Sequence, residues 1–137
     1  MIIRKTPAEI ERIARAGELS AATIAHVAER LEPGITTGEL DAIADEFITT
    51  HGGVSTSKGY KGYPASICIS PNDVVVHGIP GRHRVEEGDV ITLDVGVTLD
   101  GFIADSAFTF SVGTVDDETR RLLDVGRDAL AARIEQA

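Results

Sequence analysis

Leu93-Asp94-Val95-Gly96-Val97-Thr98-Leu99-Asp100-Gly101-Phe102-Ile103-Ala104-Asp105 is the stretch on which the fold turns. Its centre, Asp100-Gly101, lies between two apolar, β-rich runs, the strongest short-range signal for a hairpin. With those two residues as the loop, Leu99 pairs with Phe102, Gly96 faces Asp105, and Asp94 faces Ala107. Side chains alternate faces along a strand, so Asp94 and Asp105 emerge on the same face as diagonal neighbours. Diagonal partners lie roughly 7–8 Å apart at the backbone. Two short carboxylates at that spacing can converge on one metal ion or bracket a pair about 3.5–4 Å apart.

The opposite face of the same hairpin supports this register. It collects Leu93, Val95, Val97, Leu99, Phe102, Ala104, Ser106, Phe108 and Phe110, a wide apolar surface that other elements must cover. The aspartate face adds Gly96, Thr98, Ile103, Ala107 and Thr109, a mixture that suits a lined cavity. The same mixture also fits the solvated side of a two-faced antiparallel sheet, and geometry alone leaves both readings open.

A chain of 137 residues is one domain's worth, long enough to bury roughly two-thirds of its unfolded surface. No apolar run approaches the ~20 residues of a membrane span, and the start carries no signal-peptide pattern. The formal charge of -9, from 22 acids against 13 Lys plus Arg, disfavours nucleic acid and anionic membranes. Cys68 is the single cysteine, so no intrachain disulfide forms and a reducing, cytoplasmic setting is expected. Its run, Ser-Ile-Cys-Ile-Ser, is strand-like, which makes a buried structural thiol its plain reading.

Outward from the hairpin, the order of elements is helix, helix, short strands, hairpin, helix. Thr6-Pro7-Ala8-Glu9 is a capping box with proline at the first helical position. Ile10, Ile13, Gly17, Ile24, Val27 and Leu31 follow at helical spacing, with Pro33-Gly34 as the stop. Thr36-Thr37-Gly38-Glu39 is a second capping box, and Gly52-Gly53 ends that helix. Short strands are expected around 66–70 and 74–76, parted by Pro71-Asn72-Asp73. The hairpin spans roughly 90–112, and a last helix starts near Asp116 or Asp117, carrying Leu122, Leu123, Leu130 and Ile134. This pattern predicts an α+β layer, one antiparallel sheet with helices on its apolar face and the aspartate face left open.

Two further stretches stand out. Gly59-Tyr60-Lys61-Gly62-Tyr63-Pro64 is a Gly- and aromatic-rich loop suited to a pocket wall. Val74-Val75-Val76-His77-Gly78-Ile79-Pro80 ends an apolar run with a histidine, which reads either as a structural hydrogen-bonder or as a group that works in a cleft. His26, His51 and His83 read as surface residues.

These residues resemble type I methionine aminopeptidases. The resemblance rests on Gly62-Tyr63-Pro64-Ala65-Ser66-Ile67-Cys68-Ile69-Ser70, on Asn72-Asp73-Val74-Val75-Val76-His77-Gly78-Ile79-Pro80, and on Gly88-Asp89-Val90-Ile91, Asp94-Val95 and Asp100-Gly101-Phe102 through Asp105. It extends from the first helix to the last residue, with the motifs in order. It implies a pita-bread fold, a curved antiparallel sheet with helices on its outer face and a dinuclear metal site inside. It implies that Asp94 binds one metal and Asp105 bridges both, with manganese, iron, cobalt or zinc all compatible with hard carboxylate ligands. It implies that His77 contacts the substrate at the scissile carbonyl, and that Tyr60, Tyr63 and Cys68 help line the pocket for an N-terminal methionine. The implied reaction removes N-terminal Met from peptides.

Family members are about twice this length, and their other metal ligands, a histidine and two glutamates, lie in a second half. Residues 1–137 are therefore expected to form a single unit, the N-terminal half of a pita-bread metallopeptidase domain. Alone it should hold a partial metal site with little or no activity. A homodimer or a complementary second half would complete that site, since C2 dimers are the commonest oligomers. The alternative is a non-catalytic peptide- or protein-binding module on the same fold.

Overall fold

The computed structural model of the chain describes residues 3–136. Helix α1 spans Pro7–Ala28, α2 Thr37–Thr50 and α3 Asp117–Glu135; strands β1 to β4 span Val54–Ser55, Cys68–Pro71, Val90–Leu99 and Phe102–Ser111. The expected α+β layer is present. One antiparallel sheet has β3 at its centre: β4 runs along one edge of β3, while β2 and β1 follow each other along the other.

Both expected capping boxes form. Thr6 accepts from the Glu9 N–H while Glu9 reaches back to Thr6, and Thr36 and Glu39 repeat the exchange. Each such cap is worth about 1 kcal/mol. The β3–β4 turn has Asp100 at φ 50° and Gly101 at φ 80°. Two left-handed residues in succession match the right-handed twist of the flanking strands, which is why Asp-Gly serves here.

α1 lies across β3 and β4 and joins α2 over the apolar sheet face. Leu19, Ile24 and Val27 of α1, Leu40, Ala44 and Ile48 of α2, and Ile91, Leu93, Val95 and Val97 of β3 form one core. The buried Ser20 hydroxyl donates to the Val95 carbonyl at 2.8 Å, tying α1 to the centre of the sheet. At the hairpin tip Arg15 pairs with Asp100 at 3.3 Å, and the Arg12 guanidinium lies 5.8 Å from the Phe102 ring centre.

Three expectations need correction. First, α1 stops at Ala28, short of Pro33-Gly34. The chain must extend before Gly34, whose N–H donates to Val85, and Thr36 then bridges to Arg84. Second, residues 74–76 form no strand; all three valines are exposed, Val75 by 87%. The edge of β3 they would need is held by β2, so their β propensity finds no partner. Third, α3 forms from an Asp116 N-cap as expected, yet none of its residues is buried. Its apolar residues, among them Leu122 and Ile134, stay exposed instead of joining the layer over the sheet.

Candidate metal centre and adjoining pocket

The hairpin register is the one read from the sequence: Asp94 pairs with Ala107 and Gly96 with Asp105. On its other edge Asp94 pairs with Cys68. Two neighbouring rows thus cross the sheet, Cys68–Asp94–Ala107 and Thr56–Gly96–Asp105, the second closed by a 3.0 Å hydrogen bond from the Thr56 N–H to the Gly96 carbonyl. Gly96 leaves the space its side chain would fill to the Thr56 hydroxyl, with which any Cβ there would collide.

Asp94 is half-buried and Asp105 exposed. Burial pushes the Asp94 carboxyl above its ordinary range, and the charge of Asp105 together with hydrogen-bonding contact to it pushes further. Nearby His77 pulls the other way. A cation held between the two carboxylates would relieve the repulsion that Asp94 meets from Asp105. Hard carboxylate oxygens fit divalent metal, so the pair suits part of a metal shell. Among the described residues no third His, Cys, Asp or Glu joins them in a cluster able to hold an ion.

Beside this pair lies a cavity of about 560 Å³ whose lining includes Tyr60, Tyr63, Cys68 and His77. The four residues expected from the resemblance to contact substrate therefore share one space, and its Cys68 wall adjoins Asp94 through the strand pairing. The Tyr63 hydroxyl lies 2.8 Å from the Gly78 carbonyl and 3.2 Å from that of Ile67, bracing the wall against the chain on both sides of β2. Burial and contact with Cys68 push the Tyr63 phenol well above its ordinary value, and burial raises the free Cys68 thiol too.

His77 is exposed and sits at φ 56°, a left-handed conformation that is strained for a residue with a side chain. Gly78 holds it there. Its carbonyl accepts from the Ile69 N–H at 3.0 Å and its N–H donates to the Ser70 hydroxyl at 3.1 Å, in an approach so close that a Cβ would strike the Ile69 carbonyl.

Sequence reading missed several supports. Asp41 of α2 accepts from both the Ser66 and Ile67 N–H groups at 2.9 Å, and Asp45, one turn on, accepts from the Ser66 hydroxyl. They fix the approach to Cys68, although their i, i+4 spacing looks like an ordinary solvated face. Ser57, Lys61 and Ile79 also line the cavity.

A methionine aminopeptidase of Clostridium perfringens is 44% identical over all of this chain and 55% of its own length. Methionine aminopeptidase 1 of Bacillus subtilis is 42% identical over the same shares. The crystal structure of methionine aminopeptidase from Rickettsia prowazekii superposes with a TM-score of 0.93 at 37% identity, covering 96% of this chain and 53% of that one. The chain spans about half the length of the curated relatives it matches, and its sheet with α1 and α2 is the half pita-bread arrangement anticipated from the sequence. The model of metallopeptidase family M24 matches residues 11–137, a span that holds the hairpin, both aspartates and the whole cavity wall, and the chain belongs to that family.

Proposed function

We propose that residues 1–137 act as the N-terminal half of a methionine aminopeptidase site, with Asp94 and Asp105 as two of its metal ligands. The observation that carries this reading is the placement of both carboxylates on one open sheet face beside the cavity of Tyr60, Tyr63, Cys68 and His77. Divalent metal of the manganese, iron, cobalt or zinc class, two ions in the complete family site, supplies Lewis acidity toward a peptide carbonyl and toward water. This chain's own residues do the rest. The aromatic rings and the Cys68 thiol make a soft wall for a flexible thioether. Asp94 and Asp105 would hold the metal beside the cavity, where the first peptide bond of a seated peptide would lie. His77, held rigid by Gly78, contacts that bond from the cavity side.

Two aspartates do not fill a coordination sphere, so the remaining ligands come from outside residues 1–137, from a second copy or from a complementary second half. Self-association is favoured by the unclaimed apolar residues of α3 and the 74–76 loop. Sedimentation at micromolar concentration should then show more than a 14.5 kDa species; a monomer alone would count against the dimer. No helix among the described residues is long and apolar enough to cross a membrane. A buried free Cys68 fits the cytoplasmic setting proposed here. A purely non-catalytic peptide-binding role would use the same cavity, but it leaves the paired aspartates without a purpose.

The direct test is hydrolysis of Met-Ala and Met-Gly peptides with added manganese or cobalt, beside an Asp105→Asn protein purified in parallel. Turnover present in wild type and absent from the variant supports an assembled site. Equal rates in the two would leave only the binding role.

A further inference from the structure

The aspartate face holds a third oxygen that the proposed site does not use. Gly96 stands beside both acids: it pairs with Asp105 across the hairpin and follows Asp94 by two residues on β3. Its backbone is ordinary strand, so a Cβ on it would point to the same face as the two carboxylates. The three heavy atoms nearest to such a Cβ all belong to Thr56, and the nearest of them is the hydroxyl oxygen. The Thr56 hydroxyl therefore takes the side-chain place of Gly96, in the row of Asp105 and one row from Asp94.

The backbone fixes it there. Thr56 directly follows β1, and its N–H bond to the Gly96 carbonyl at 3.0 Å continues the ladder that pairs Ser55 with Val97. The residue is half-buried, so its hydroxyl belongs to the open face rather than to the core. Opposite residues of an antiparallel pair hold their Cβ atoms about 4.5–5.5 Å apart, and residues two apart on one strand lie roughly 7 Å apart. The hydroxyl is thus flanked by Asp105 across the hairpin and by Asp94 along the strand, at separations that one water molecule bridges. The hydroxyls beyond the Asp94–Ala107 row are placed differently: Thr92 and Thr109 bond each other at 2.9 Å.

We infer that Thr56 is a positioning residue of the metal centre, its hydroxyl holding a water in the shell of the ion carried by Asp94 and Asp105. The inference rests on the reading of that pair as a metal seat. A hydroxyl both donates and accepts, and it adds no charge to a face that already carries two acids. Groups that hold a metal's immediate partners in place set its affinity almost as firmly as the ligands do. Gly96 and Thr56 form a matched pair in this arrangement. One strand gives up its side chain, and the neighbouring segment puts an oxygen beside the acids in its place.

The test is calorimetric titration of the full chain with manganese, with melting temperatures of the metal-free proteins alongside. Thr56→Val, which keeps the shape and removes the hydroxyl, should weaken manganese binding about ten-fold. Thr56→Ser should keep the wild-type affinity. Thr56→Ala should lose it as the valine variant does, and adding Gly96→Ser should recover most of it, because the new side chain returns a hydroxyl to the same place from the other strand. Equal affinity in wild type and Thr56→Val overturns the role of Thr56 and leaves the metal seat standing. So does a loss in Thr56→Ala that follows a fall in the metal-free melting temperature and that Gly96→Ser does not recover, since packing alone would explain it. Absence of manganese uptake by wild type, or equal uptake by Asp105→Asn, overturns the metal seat itself.

Discussion

On one face of the β3–β4 hairpin Leu93, Val95 and Val97 are fully buried beneath the helices, whereas on the other Asp94 is half-buried and Ile103 and Asp105 are exposed. Both faces come from one register, and a slip of one residue would exchange them. The hydrophobic face sets the register because its burial supplies the energy; the aspartate face inherits its geometry. The carboxylates are thus placed by residues pointing away from them, on a rigid platform rather than a loop.

The sharpest way to break this comparison is a matched pair of truncations. Leu93→Ala should cost about 2–5 kcal/mol in urea unfolding, the range for a buried leucine. Ile103→Ala, on the open face, should stay within about 0.5 kcal/mol. Similar losses would mean that the aspartate face is covered in solution. Next in size is Gly96→Ala, expected to cost about 1–3 kcal/mol because the new Cβ meets the Thr56 hydroxyl. Adding Thr56→Ala should restore most of it, and a lack of rescue would show that the contact is not the cause.

A smaller effect sits where β3 begins. Burial pushes the Asp89 carboxyl up, but hydrogen bonds from the Asn72 amide, the Glu86 N–H and His83 outweigh it and hold it below its ordinary range. A depressed acid contributes stability that is present above the unfolded-chain value, near pH 4, and is lost as pH falls toward the folded value. Acid titration of the melting temperature should therefore show a downward limb below about pH 4 that Asp89→Asn flattens. The smallest effect is expected in α3: Leu122→Ala should change the monomer's stability by less than about 0.5 kcal/mol. A larger change at high protein concentration alone would locate the self-association surface.

The hairpin was legible because every local signal agreed: the Asp-Gly turn, the alternation, and the two capping boxes that bring helices to the apolar side. The paired aspartates followed from that register without any structural input. The Tyr60–Tyr63 loop read as a pocket wall and His77 as one of two alternatives, but that they and Cys68 share one site came from family resemblance, since nothing in their spacing says that a loop, a strand end and a left-handed turn meet around one cavity. The valines at 74–76 misled because β-branching records a preference and not the availability of an edge. α3 was readable as a helix but not as an unpacked one, because amphipathicity names a face and not its partner. Asp41 and Asp45 were invisible because their role depends on where the Ser66–Ile67 backbone runs.

The most direct measurement is manganese titration of the wild-type chain, Asp94→Asn and Asp105→Asn, by calorimetry with melting temperatures alongside. The predicted result is uptake and a raised melting temperature in wild type, both lost in each variant, since an ion that binds only the folded state stabilises it. Equal uptake by all three proteins would contradict the assignment of this sheet face as a metal site.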